Sequence, residues 1–147
     1  MSTNETHLQM IQSVIARMAQ NSFALKGWAV ALISAIFALS ANDTNTHVAL
    51  VAYLPAVVFW ALDSYYLLQE RLFRRLYDSV RMLHAGAADT TDFSMDIIAP
   101  QETAPVDVKK TLTYINCLFS RSEIGFYLPL LILLTVAAWL LGAFAPF

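Results

Sequence analysis

Three long apolar segments constrain the fold of this 147-residue chain more than any other feature of its sequence. A membrane-spanning helix needs roughly 20 mostly apolar residues to cross about 30 Å of hydrocarbon. The sequence has three segments of this kind, at residues 23–41, 48–68 and 124–144. Only 14% of the residues are charged, so the chain has too little polar surface to cover all three segments as a soluble core. We therefore predict an all-α membrane protein with three transmembrane helices.

The positions of lysine and arginine predict the orientation of these helices, because cytoplasmic loops carry an excess of both residues. The turn at residues 42–47 and the tail at residues 145–147 contain neither, so we expect both to be periplasmic. Residues 1–22 and 69–123 are then cytoplasmic, and the protein lies in the bacterial inner membrane. With this topology all nine basic residues fall on the cytoplasmic side: Arg17, Lys26, Arg71, Arg74, Arg75, Arg81, Lys109, Lys110 and Arg121.

The cytoplasmic segments are predicted to be helical extensions of the spans. No Gly or Pro interrupts the passage from residue 7 into the first span, so one helix is predicted from about His7 to Ala41, and the second span continues without interruption to about His84. Both extensions carry apolar residues at three- and four-residue steps, which is typical of amphipathic helices. These faces must bury against each other or against neighbouring subunits. The residues concerned are Leu8, Ile11, Ile15, Leu72, Phe73, Leu76 and Val80.

The rest of the middle segment changes character along its length. Residues 85–104 are small, acidic and rich in breakers, and are predicted to form a loop. A helix is predicted from Pro105, a favourable first-turn residue, to about Phe119. Ser122 is a plausible N-cap of the third span.

Lys26 and Asp63 are ionisable residues inside the first two spans. They are equally distant in sequence from the centre of the turn, between Thr44 and Asn45, and the two spans must form an antiparallel hairpin. The two side chains are therefore predicted to lie at the same depth and to form an ion pair. In one interpretation the two residues form a structural ion pair, or their charged groups extend to the membrane interface. In the other, Asp63 lines a pore or binds and releases protons.

Prolines and small residues are expected to shape the packing of the spans. Pro55 and Pro129 each remove a backbone donor and can kink their helices. Small side chains in the first span permit close contact between helices. The small residues are Gly27, Ala29, Ala31, Ser34 and Ala35.

Basic residues of the middle segment form a candidate anion-binding surface. Four arginines fall within roughly a third of the circumference of one helix, and guanidinium groups bind phosphates well. The alternative is that these residues set the topology and contact anionic lipid headgroups. The predicted surface consists of Arg71, Arg74, Arg75, Arg81, Lys109 and Lys110.

Two stretches, Asn21–Trp28 (NSFALKGW) and Phe59–Arg81 (FWALDSYYLLQERLFRRLYDSVR), resemble small bacterial membrane effectors of antiphage defence encoded beside nucleotidyltransferase genes. In this respect the chain resembles the Hailong type, whose effector is similar to an oligomeric ion channel held shut by a single-stranded DNA oligomer. The resemblance implies a homo-oligomer, a gated pore and a polyanionic ligand on the cytoplasmic face. It also implies a nucleotide-synthesising partner enzyme and a ligand contact on the Arg71–Arg81 face.

No catalytic, phosphate-loop or metal-binding motif is present in the sequence, and the single cysteine, Cys117, excludes an internal disulfide. We therefore expect no enzyme activity, no cofactor and no metal. The leading hypothesis is a homo-oligomeric channel or pore-forming effector, gated by a nucleotide or oligonucleotide on its cytoplasmic face. Asp63, Ser34 or Thr135 would line its pore. The alternatives are a non-conducting anchor or scaffold that recruits a cytoplasmic partner, and a small transporter that uses Asp63.

Overall fold

The computed structural model describes residues 3–40, 46–86, 95 and 112–140 of the chain. Helix accounts for 95% of these residues and none of them lies in a strand, which confirms the predicted all-α class. Along the chain the described helices are α1 (Thr3–Ser40), a 3-10 helix (Thr46–Ala52), α2 (Tyr53–Gly86), α3 (Tyr114–Leu118) and α4 (Arg121–Leu140).

Three of the described helices are long and apolar enough to cross a membrane. The candidate spans are Glu5–Ser40, Leu50–Met82 and Arg121–Leu140. Large apolar side chains on all three remain exposed in the single chain, as expected for surfaces that face lipid or another copy. These include Leu39, Leu54, Leu133 and Trp139. The helices support the predicted membrane-spanning protein.

The start of the second span differs from the sequence prediction. Residues 48–52 lie in the 3-10 helix, and α2 begins at Tyr53. Pro55 is thus in the first turn of α2, where a backbone N–H has no helical partner to lose. Pro55 therefore helps to begin the α-helix and does not kink its interior, which corrects the prediction. Pro129, in contrast, does lie inside α4.

Helix α4 begins before the predicted third span. Its first residue is Arg121, and the Ile124 N–H donates to the Ser120 carbonyl at 2.9 Å. Ser120 consequently occupies the N-cap position, so the prediction of Ser122 as N-cap was wrong. Glu123 belongs to the first turn of α4, where a carboxylate interacts favourably with the helix dipole.

Several sequence predictions fall wholly or partly outside the described residues. These are the turn at residues 42–45, the loop at 87–94 and 96–104, the start of the helix predicted from Pro105, and residues 141–147. Within the predicted helix 105–119, α3 covers only Tyr114–Leu118. Leu112 and Thr113, which precede α3, are not helical, so the prediction of helix at these two positions was wrong.

The chain divides into two compact units, of which the first comprises Met1–Ser22 and Tyr65–Cys117. Its core joins the predicted apolar faces of α1 and α2: Ile11 packs with Leu76 and Val80. Partly buried side chains surround this cluster, and the Gln12 amide donates to the Tyr77 hydroxyl at 3.1 Å. The two amphipathic faces are thus buried against each other within one chain.

The second unit comprises Phe23–Ser64 and Leu118–Phe147. Ile33 of α1, Ala56 of α2 and Leu134 of α4 form its main apolar cluster, together with Ala52 of the 3-10 helix. Because one residue comes from each of three helices, the cluster fixes these parts of α1, α2 and α4 side by side. The ionic cluster described next belongs to the same unit.

Candidate functional site: a buried ionic cluster

Four polar side chains from three helices meet inside the second unit. Lys26 comes from α1, Asp63 from α2, and Glu123 and Tyr127 from α4. The latter two are four residues apart, so they lie on the same face of α4. We call these four residues the ionic cluster.

The structure brings Lys26 and Asp63 into an ion pair, the arrangement expected from their equal distance to the turn. The Lys26 ammonium donates to Asp63 Oδ2. The Lys26 side chain is 17% exposed, whereas that of Asp63 is 0% exposed. Asp63 is therefore enclosed by the chain itself and does not face a pore or lipid directly.

Glu123 adds a second carboxylate to the same ammonium group. The Lys26 Nζ lies 3.2 Å from Glu123 Oε1, and the Glu123 side chain is 1% exposed. Its other oxygen, Oε2, is buried and has no hydrogen-bond partner among the described residues. A half-satisfied carboxylate in a buried position is costly, because its lost hydration is not replaced.

Aromatic rings enclose the cluster. The Tyr127 hydroxyl donates to Asp63 Oδ2 at 3.2 Å. Lys26 Nζ lies 5.8 Å from the centre of the Phe126 ring and 6.0 Å from that of Tyr127, within the range of cation–π attraction. Trp60 stacks on Tyr127 at 6.0 Å and donates its indole N–H to the Leu118 carbonyl at 3.1 Å. Trp60 thus packs against the ionic cluster.

The balance of charge is the main chemical property of the cluster. Two carboxylates share one ammonium, and removing ions from water costs several kcal/mol each unless they are neutralised. Among the residues that the structure describes, no three His, Cys, Asp or Glu side chains are grouped closely enough to hold a metal ion. The chemistry available to the cluster is therefore ion pairing and proton binding.

Sequence reasoning identified Lys26 and Asp63 but missed Glu123 and Tyr127. The predicted third span begins at Ile124 and contains no charged residue, so Glu123 lies just outside it. One available signal was the spacing of Glu123 and Tyr127, which places a carboxylate and a phenol on one helix face. Sequence spacing could not place α4 against the hairpin, since a long segment separates them.

The predicted anion-binding arginines lie on α2 in the first unit and have different surroundings. Arg71 Nη1 donates to the buried Cys117 Sγ at 3.6 Å. Arg74 forms a 2.6 Å ion pair with Glu70, one turn away. Arg75 is half-buried and Arg81 is exposed. Lys109 and Lys110 lie outside the described residues.

A groove of about 460 Å³ in the same unit is lined partly by Arg74. Gln12 and Tyr77 contribute further polar groups, and Asp78 adds a carboxylate. The groove therefore offers donors to a phosphate-bearing ligand, but it also contains negative charge that such a ligand would have to tolerate. The exposed Arg81 is not among the residues that line it.

Comparisons with known proteins add no family assignment: no family model, no curated protein and no solved structure matches the chain.

Tyr127→Phe tests the contribution of the phenol to the ionic cluster. The substitution removes a donor to a buried carboxylate, so we expect the free energy of unfolding to fall by about 1.5–3 kcal/mol. Thermal or denaturant unfolding in detergent measures the change. Tyr53→Phe is a matched control, because it removes only the 2.8 Å bond to Thr135 in an exposed position. Equal losses in the two variants would contradict a special role for Tyr127.

Proposed function

We propose that the protein is a homo-oligomeric membrane channel that acts as an effector in bacterial antiphage defence. A phosphate-bearing ligand, bound at the arginines of α2 on the cytoplasmic side of the inner membrane, would control the pore. A nucleotide-synthesising enzyme would supply that ligand. The proposal combines the three candidate spans, an exposed helix face suited to self-association and the resemblance to Hailong-type effectors.

The small-residue face of α1 is the observation that carries this proposal. At the helical period its members fall within about a third of the circumference, and all are exposed in the single chain. No atom lies within 4 Å of a Cβ built on Gly27 among the described residues. Small side chains let the backbones of membrane helices approach closely. The face consists of Ala24, Gly27, Ala31, Ser34 and Ala35.

The burial pattern separates two groups of small residues in α1. Ala29 is 0% exposed and packs within its own chain, so it is not available to a second copy. Gly27 and Ala31, on another side of the helix, remain exposed. The exposed face that carries Gly27 and Ala31 is therefore the one proposed to contact a second copy. The face that carries Ala29 packs within its own chain.

A water-filled path requires several copies, because three helices from one chain are too few to enclose it. The polar residues considered for its lining differ in position. Ser34 and Thr135 are exposed, whereas Asp63 is enclosed within the ionic cluster. Thr135 Oγ1 bonds to the Leu131 carbonyl at 2.7 Å and the Tyr53 hydroxyl at 2.8 Å, and its side chain remains exposed. Because Ser34 belongs to the face assigned to the contact between copies, Thr135 is the better candidate for the lining.

Gly27→Leu tests assembly and conductance together. Gly27 is exposed, and a Cβ built there meets no atom within 4 Å among the described residues, so we expect each copy to fold normally. The leucine side chain would separate neighbouring α1 helices, shifting the purified protein towards monomers by light scattering and abolishing its conductance in planar bilayers. Gly125→Leu is a matched control, since a Cβ at Gly125 also meets no atom within 4 Å among the described residues.

Three results would contradict the assembly proposal: a monomeric wild-type protein, a Gly27→Leu variant that stays fully assembled, or equal disruption by Gly125→Leu. A stable oligomer that conducts no ions, with or without ligand, would instead favour the non-conducting scaffold.

The salt dependence of ligand binding tests the arginine surface. With a short single-stranded DNA oligomer as probe, affinity should fall steeply with salt, because bound arginines release counterions from the phosphates. Arg75→Gln with Arg81→Gln should weaken binding and reduce the slope of log K against log salt by about 0.7 per lost contact. Arg17→Gln, in the same unit but on α1, should leave the slope unchanged. A flat salt response would contradict this ligand site.

A further inference from the structure

We propose that the ionic cluster is a binding site for a single proton, carried by the carboxyl group of Glu123. This inference does not depend on channel activity or on a ligand at the arginines. It arises from an imbalance of charge and from one buried oxygen that the described residues leave unsatisfied.

The charge balance of the cluster requires one more positive charge. Lys26 contributes one ammonium, and Asp63 and Glu123 contribute two carboxylates that are 0% and 1% exposed. Both carboxylates contact the same Nζ atom, so they lie next to each other. Neighbouring buried carboxylates avoid mutual repulsion by holding a proton between them. One bound proton makes the cluster neutral.

The hydrogen bonds favour Glu123 as the residue that carries the proton. Asp63 Oδ2 accepts from both the Lys26 ammonium and the Tyr127 hydroxyl, and each of these bonds stabilises an ionised carboxylate. Glu123 accepts a longer bond, of 3.2 Å, from Lys26 through Oε1. The helix dipole at the first turn of α4 favours an ionised Glu123 by only about 0.3–1 kcal/mol, less than the two bonds to Asp63 contribute, so Glu123 is the residue that carries the proton.

A proton fits this site better than a metal cation. Hard cations such as sodium or calcium prefer several oxygen ligands, and the cluster offers two carboxylates that already bind an ammonium. Lys26 Nζ, 3.2 Å from Oε1, would repel a second cation near the same carboxylate. A neutral carboxylic acid experiences no such repulsion.

Loss of the proton would change the net charge of the cluster. Glu123 faces Lys26 of α1, Asp63 of α2 and Tyr127 of its own helix, and these are the charged and titratable groups of the cluster. Release of the proton at alkaline pH leaves one net negative charge among enclosing aromatic rings.

Infrared spectroscopy of the full-length protein in lipid tests the proposal directly. A protonated carboxyl group shielded from water gives a separate C=O stretching band, which shifts in D₂O because its proton exchanges. We expect this band at neutral pH, with an amplitude that falls as the pH rises. Glu123→Gln should abolish the band, and Lys26→Met should approximately double it, since two carboxyl groups would then need protons.

Glu70→Gln is the matched control, because Glu70 is ion-paired with Arg74 in the first unit and should not contribute. Its spectrum should keep the full band. A wild-type protein without the band at neutral pH, or a band that survives Glu123→Gln, would overturn the proposal. A band that appears only when sodium is replaced by choline would also overturn it, in favour of a bound metal cation.

Discussion

An ammonium group on a membrane-spanning helix is costly unless carboxylates neutralise it, and in this protein that constraint joins three helices. Lys26 of α1 contacts Asp63 of α2 and Glu123 of α4, and both carboxylates are almost completely buried. Tyr127 of α4 donates to Asp63, and Trp60 of α2 stacks on Tyr127. Apolar packing around Ile33 and Leu134 brings the same helices together. Such packing does not require particular atoms to face each other, whereas binding one shared ammonium group does.

The first two spans and their ion pair could be predicted from sequence because a short turn fixes how the spans pair. Residues at equal distances from that turn reach equal depths, which brought Lys26 and Asp63 together. The third span follows a long segment that imposes no such geometry, so the contact of Glu123 with Lys26 could not be predicted. The turn also does not determine where α-helical geometry begins: Pro55 lies in the first turn of α2 and not in its interior.

The surfaces outside the ionic cluster are harder to predict from the sequence than the Lys26–Asp63 ion pair. The arginines spaced along α2 predict a basic face. In the structure Arg74 is ion-paired, Arg71 contacts a buried thiol and Arg81 is exposed. Small residues in α1 likewise permit close packing without specifying the partner. Burial separates Ala29, which packs inside its own chain, from the exposed Gly27. Such distinctions depend on the rotation of each helix about its axis, which a mostly apolar span encodes poorly.

Lys26 is held by carboxyl groups from two different helices, Asp63 of α2 and Glu123 of α4. A double-mutant cycle of Asp63→Asn and Glu123→Gln, measured by unfolding in detergent, tests this arrangement most directly. Either single variant leaves one carboxylate for Lys26 and should fold. The double variant leaves a buried ammonium without a carboxylate, so its loss of unfolding free energy should exceed the sum of the single losses by about 2 kcal/mol or more. Losses that simply add would show that the two carboxylates act independently, and would contradict the account.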